Sequence, residues 1–266
     1  MIVTKTIPVK NWITPSKLPG VDVVINPYVG CPHKCVYCYA GFMKTFTNHE
    51  EDWGDFLDVK HCDKPVSTKR LDGKNIVISS VTDPYNAFEK QYRVTRHLLE
   101  QLQECRANIT IITKSDLVLR DIDLISQLEN VEVALSVNSL DDTFRRHVEP
   151  RAPTSKRRID ALRQLHVAGI KTVLFMSPIF PGITDFREIV KATRAWVDTY
   201  WFENLNLKNT ARNQVARAIG QHYPGLIPLY RTIYRDGDKT YWYRLIDEIE
   251  NYCTEKDIPF RNVFHP

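Results

Sequence analysis

Cys31, Cys35 and Cys38 stand in C-x3-C-x2-C spacing within Cys31-Pro32-His33-Lys34-Cys35-Val36-Tyr37-Cys38-Tyr39, directly after a short apolar run. Three thiolates on one loop fill three corners of a [4Fe–4S] cube, which four cysteines would saturate. The remaining iron is left for something other than protein, and chemistry can start there. Zinc competes for the same thiolates, with His33 or Cys62 as a fourth ligand, although structural zinc usually takes two compact pairs separated by a longer loop. Three unliganded cysteines packed into a core, beside prolines and aromatic residues, are the third reading.

These residues need elements to position them. Short apolar runs at Val21–Ile25, Ile76–Ser79, Ile109–Thr113, Val131–Val137, Thr172–Met176 and Trp201–Leu207 predict strands. Helical patterns fill the intervals at Arg93–Cys105, Leu119–Leu128, Ser155–Ala168 and Phe186–Asp198, the third closing at Gly169. Strands alternating with helices imply parallel pairing through right-handed crossovers, hence a barrel or a doubly wound sheet. Six strands make a partial (β/α)6 TIM-type barrel, whose active site belongs at the strand C-terminal ends. Thr82, Asp83, Lys114, Ser136, Asn138, Ser177 and Asn206 all fall there.

From Asn209 onward the pattern predicts a helical C-terminal extension, through Arg212–Gln221, Leu226–Tyr234 and Tyr241–Thr254. The expectation is one domain over residues 1–266, with a core barrel at about 21–207 and the extension at about 208–266. Met43–Val66 reads as irregular, a segment to cover the barrel mouth or bind a partner.

Composition bounds the class. The chain has 266 residues, 43% of them apolar and 26% charged, as in soluble globular proteins and without a run long enough to span a membrane. Met1–Lys10 lacks a secretory signal, so a cytoplasmic location is expected by default. Six cysteines are too sparse for a disulfide scaffold. A net charge of +4 is too modest for a whole-protein grip on nucleic acid, which stays a weakly supported partner. Arg145, Arg146, Arg151, Lys156, Arg157, Arg158 and Arg163 crowd one stretch, either facing an anionic substrate or forming a solvated helix surface.

The triplet, with its aromatic residue before the third cysteine and its place after the first strand, resembles the radical S-adenosylmethionine superfamily. Over about Val21–Leu207 the chain is similar to the spore photoproduct lyase subfamily. The segments carrying this are Asn26-Pro27-Tyr28-Val29-Gly30-Cys31, Tyr37 and Tyr39, Thr82-Asp83-Pro84-Tyr85, Thr113-Lys114 and Ser136-Val137-Asn138. Glu149-Pro150-Arg151-Ala152-Pro153 and Ser177-Pro178-Ile179-Phe180-Pro181-Gly182 complete the series.

The resemblance implies a [4Fe–4S] cluster on Cys31, Cys35 and Cys38, with S-adenosylmethionine chelated by the free iron. Reductive cleavage would give a 5′-deoxyadenosyl radical that abstracts hydrogen from an unidentified substrate, and an electron donor such as flavodoxin or ferredoxin would be required. Lys114 would meet the cofactor carboxylate, Thr82 its amino group with Asp83 nearby, and Ser136 and Asn138 its ribose or methionine part. Tyr37 would meet the adenine through its backbone, Ile179 and Phe180 would wall the adenine, Arg151 would reach cofactor or an anionic substrate, and Tyr39 would lie near the radical as the catalytic residue. Each has a plainer reading: a surface lysine, an Asp-Pro turn, strand-end backbone partners, aromatic residues that exclude solvent, and a Glu149–Arg151 ion pair. One departure stands out. The lyase carries a hydrogen-donor cysteine two residues before its Ser/Thr-Asp pair, where this chain has Ser80, so photoproduct repair is not expected. The rival from another class is a zinc-stabilised adaptor for nucleic acid or protein.

Overall fold

Strand residues in this chain alternate between two apolar destinations, as a parallel sheet covered on one face and enclosing a lumen on the other requires. Ile76, Ile78, Ile109, Ile111, Val133 and Leu135 enter the main core under the helices. Val77, Thr110, Ile112, Phe175 and Trp201 face the interior instead. A computed structural model describes residues 1–207 and 211–265.

The strands are β1 (Val3–Pro8), β2 (Ile13–Pro15), β3 (Val23–Ile25), β4 (Tyr28–Val29), β5 (Phe56–His61), β6 (Asn75–Ile78), β7 (Asn108–Thr113), β8 (Asn130–Ser136), β9 (Lys171–Ile179), β10 (Thr199–Asn204) and β11 (Phe260–Asn262). The large sheet runs β11-β10-β9-β8-β7-β6-β3-β2. From β3 to β10 its six parallel strands follow chain order without reversal, the winding of a barrel and not of a doubly wound sheet. The edges are β2, antiparallel to β3, and β11, parallel to β10, so among the described residues the barrel is open.

All six expected strands form, most with ends displaced by no more than about two residues. Trp201–Leu207 stops at Asn204, where the β9 pairing shifts between Phe202 and Asn204. Leu119–Leu128 resolves into a 3₁₀ turn, Asp116–Asp121, and a short helix, Ile122–Ile125. Ser155–Val167 is N-capped by Thr154 and closes on Gly169 at φ +76°, with Ile170 N–H reaching the Leu165 carbonyl. A helix over Asp142–Val148, capped by Asp141, was not expected.

Met43–Val66 differs from expectation. After the 3₁₀ helix Tyr39–Phe46 it forms β5, which pairs with β1 and β4 in a separate three-stranded sheet. The C-terminal helices run over Ala211–His222, Ile227–Tyr234 and Thr240–Glu255, with Trp242, Ile249 and Cys253 in the main core; the expected start near Asn209 lies outside the described residues. Among the described residues no helix is long and apolar enough to cross a membrane.

Candidate active site at the barrel mouth

The cysteine loop follows β4, and its entry needs glycine: Gly30 has φ +91° and a Cβ there would lie 2.4 Å from the Phe56 carbonyl oxygen. The loop then ties itself to the barrel by backbone bonds, Val36 N–H to the Val148 carbonyl (2.9 Å) and Arg151 N–H to the His33 carbonyl (3.3 Å). Cys31, Cys35 and Cys38 are unpaired and half-buried, and all three border a cavity of about 1410 Å³ that runs through the open barrel. Among the described residues no three His, Cys, Asp or Glu side chains are grouped closely enough to hold a single metal ion. Burial holds all three thiols above their ordinary pKa, helped by the Asp83 charge at Cys31 and by Glu149 at Cys35, which is pushed up to about 12. A metal centre that binds them as thiolates must therefore supply the free energy of deprotonation.

Two buried carboxylates clamp this loop. Asp83 Oδ1 accepts from Tyr85 N–H (2.9 Å) and the Thr113 hydroxyl (2.7 Å); its Oδ2 accepts from Lys114 N–H (2.8 Å) and contacts His33 Nε2 at 3.1 Å. Burial alone would raise the Asp83 pKa, but the His33 contact and these donors outweigh it and hold the carboxyl at about 2. Glu149 accepts from the Tyr37 hydroxyl, Asn138 Nδ2 (3.1 Å) and the Arg158 guanidinium. Arg158, fully buried, spends its other donors on the Ser136 (2.9 Å) and Pro153 carbonyls. Asp83 thus joins the ends of β6 and β7 to the loop through His33, and Glu149 joins the end of β8 through Tyr37.

Of the expected site residues, Cys31, Cys35, Cys38, Tyr37, Tyr39, Thr82, Asp83, Lys114 and Ser136 border the one cavity. Thr82 donates to the Gly30 carbonyl (2.6 Å), and Tyr39, half exposed, donates to the Ser80 carbonyl. Lys114 Nζ lies 5.8 Å over the Tyr37 ring and, among the described residues, has no ion-pair partner. Burial would weaken its proton affinity, but the neighbouring Cys35 and Glu149 outweigh that and raise the Lys114 pKa above its ordinary value.

Four residues sit elsewhere. Ile179 and Phe180 are buried behind the cavity wall, where Ser177 and Pro178 face the space, and Phe180 packs edge-on to Tyr37 at 5.5 Å. Asn138 is buried, with Oδ1 unpartnered. Arg151 donates to the Gly54 carbonyl (2.8 Å) and pairs with Asp55 (2.9 Å), so the Glu149–Arg151 pair is not formed. Its neighbours are also engaged: Arg145 with Asp142 at 2.6 Å, Arg157 with Asp116 at 2.7 Å, and Arg158 inside. Of the two readings of this basic stretch, these pairings fit the solvated helix surface, with much of its charge matched within the fold. The sequence reading missed the buried Glu149–Arg158 pair, the His33–Asp83 contact and the lining by β11 and the residues after it.

The family model of the Radical SAM superfamily matches residues 25–193, and the chain belongs to that superfamily. An uncharacterized protein of Methanocaldococcus jannaschii is 39% identical over 255 residues, covering 96% of this chain and 94% of its own. One of Acidianus two-tailed virus is 33% identical over 202 residues, covering 67% of this chain and 66% of its own. Among solved structures, spore photoproduct lyase complexed with dinucleoside spore photoproduct has a TM-score of 0.59 at 18% identity, covering 82% of this chain and 66% of that one. SuiB of Streptococcus suis bound to S-adenosylmethionine has 0.58 at 16%, covering 91% of this chain and 50% of that one. At these identities the structural likeness concerns the fold, a partial (β/α)6 barrel.

Proposed function

We propose that Cys31, Cys35 and Cys38 hold a [4Fe–4S] cluster whose fourth iron takes S-adenosylmethionine, and that the cavity is the reaction chamber. The observation that carries this reading is one loop bringing three unpaired cysteines to the same cavity as an ammonium, Lys114, that has no ion-pair partner among the described residues. When bound, cluster and cofactor supply reductive cleavage of a sulfonium bond and abstraction of a hydrogen atom from substrate. Flavodoxin or ferredoxin is the class of protein that would deliver the electron.

The chain's own groups bind and shield. Lys114 takes the cofactor carboxylate in a charge-assisted contact. Ser136, on the cavity, would take the ribose hydroxyls or the methionine part; Asn138, buried behind it with Nδ2 on Glu149, would join only through its unpartnered Oδ1, which a hydroxyl donor would relieve. Thr82 would meet the amino group while bracing the loop through the Gly30 carbonyl; Asp83, already accepting three hydrogen bonds, positions His33 and Lys114. Tyr37 offers its backbone to the adenine, with Ile179 and Phe180 stiffening it from behind. Arg151 secures the Gly54–Asp55 turn over the loop. Tyr39 places its phenol beside Ser80 on the cavity side. Ser80 has no S–H to give, so we propose a reaction other than photoproduct repair.

Anaerobic reconstitution tests the reading. The expected product is a brown protein with about four irons per chain that forms 5′-deoxyadenosine when given S-adenosylmethionine and dithionite. A colourless protein taking up one zinc, with no cleavage, would contradict it and favour the adaptor.

A further inference from the structure

At the opposite edge of the sheet from the cysteine loop, β9 to β11 and the residues after them carry a second set of inward groups. Strand register sets Ser136, Phe175, Trp201 and Arg261 in one row, all lining the cavity. Phe175 and Trp201 meet edge-to-face at 5.6 Å, and the Arg261 guanidinium lies 5.0 Å over the Trp201 ring. Among the described residues no carboxylate pairs with Arg261. The next inward residue on β10 is Glu203, at the irregularity where the pairing shifts.

Acceptor capacity separates the carboxylates near the strand C-terminal ends. A carboxylate offers about four acceptor positions. Asp83 accepts three hydrogen bonds and has His33 against it as well, and Glu149 accepts three, whereas Glu203 accepts from the Ser177 hydroxyl and meets His265 Nε2 at 2.8 Å. Its side chain remains 24% exposed to the cavity. The Glu203 charge also reaches Tyr39, where, after burial and Cys38, it helps raise the phenol pKa. Glu203 follows Trp201 by two positions on the same inward face of β10, and Arg261 lies over the Trp201 ring, so a negative and a positive group flank one aromatic surface.

We propose that this wall is the substrate subsite and that it recognises a zwitterionic amino-acid-type group, the ammonium on Glu203, the carboxylate on Arg261 and the carbon chain against Trp201 and Phe175. The inference rests on the proposed radical S-adenosylmethionine chemistry and names a substrate class for the same cavity. A purely anionic ligand meets Glu203, a purely cationic one meets Arg261, and a neutral one engages neither charge.

The test uses cluster-reconstituted protein with S-adenosylmethionine and three probes of one skeleton: L-leucine, L-leucinamide and 4-methylpentanoate, with affinity read by saturation-transfer NMR. Leucine is expected to bind about tenfold or more tighter than either singly charged probe. Glu203→Gln is expected to reduce leucine to the level of 4-methylpentanoate, and Arg261→Met to the level of leucinamide. Equal binding of the three probes to the unaltered protein, or no binding of any, overturns the proposal without recourse to a variant. Cofactor cleavage by the same unaltered preparation is measured in parallel. Cleavage without probe preference overturns the subsite alone; absence of cleavage overturns the reading on which it rests.

Discussion

Glu149 and Arg158 are both fully buried, and a charge pair in that position acts more as a constraint than as a source of stability, because desolvation consumes much of the Coulomb gain. Removing one partner strands the other, so Arg158→Met is expected to cost about 3–5 kcal/mol in chemical denaturation. A loss below about 1 kcal/mol would show that the pair is not sealed from water. Lys114→Ala addresses chemistry instead: S-adenosylmethionine affinity is expected to fall about tenfold or more with iron content unchanged, and an unaltered affinity would remove Lys114 from the site. The cysteines and Lys114 were legible in the sequence because motif spacing and strand-end position mark them without knowledge of tertiary contacts. Arg158 was not legible. It sits among Lys156, Arg157 and Arg163 and reads as one more solvated helix residue until the fold turns it inward. Arg151 misled for the converse reason, since its partner Asp55 lies 96 residues away.

At the scale of elements, the six barrel strands were readable because each is an apolar run bounded by polar or turn residues, with helical periodicity between them. Apart from β5, the strands that escaped are short or at an edge, and what pairs them is distant: β1 finds β5 in parallel, Val3 against Phe56, and β11 finds β10 only after the whole helical extension. Nothing local announces such partners. The helix Asp142–Val148 is bounded by Asp141 and meets Ala211–His222 through His147 and His222, whose rings stack at 3.5 Å and 7°. Burial, then the neighbouring His222 and Arg146, lowers the His147 pKa. A group with a depressed folded-state pKa contributes stability that is complete above its unfolded value, about 6.5, and is lost as pH falls through the folded value. The midpoint of thermal unfolding is therefore expected to drop between pH 7.5 and pH 5.5, and to drop less in His147→Phe. Equal acid sensitivity in both proteins would show that the stacked pair does not titrate with folding.

Across the whole molecule, an open barrel leaves a cavity larger than the few hundred to 1,000 Å³ of ordinary small-ligand sites. The cysteine loop, Lys114 and Ser136 occupy one side of it, while Glu203, Trp201 and Arg261 occupy the other. Such a division leaves room for a cofactor and a substrate to meet within one space. The first side was legible in the sequence; the second depends on β11 and the residues after it folding back against β10, which the helical pattern of the extension concealed. The central claim is that the iron not held by cysteine receives S-adenosylmethionine, and low-temperature electron paramagnetic resonance of the reduced, reconstituted protein tests it most directly. The account predicts a cluster signal whose g-values change when S-adenosylmethionine is added; a spectrum unchanged at saturating cofactor would contradict it.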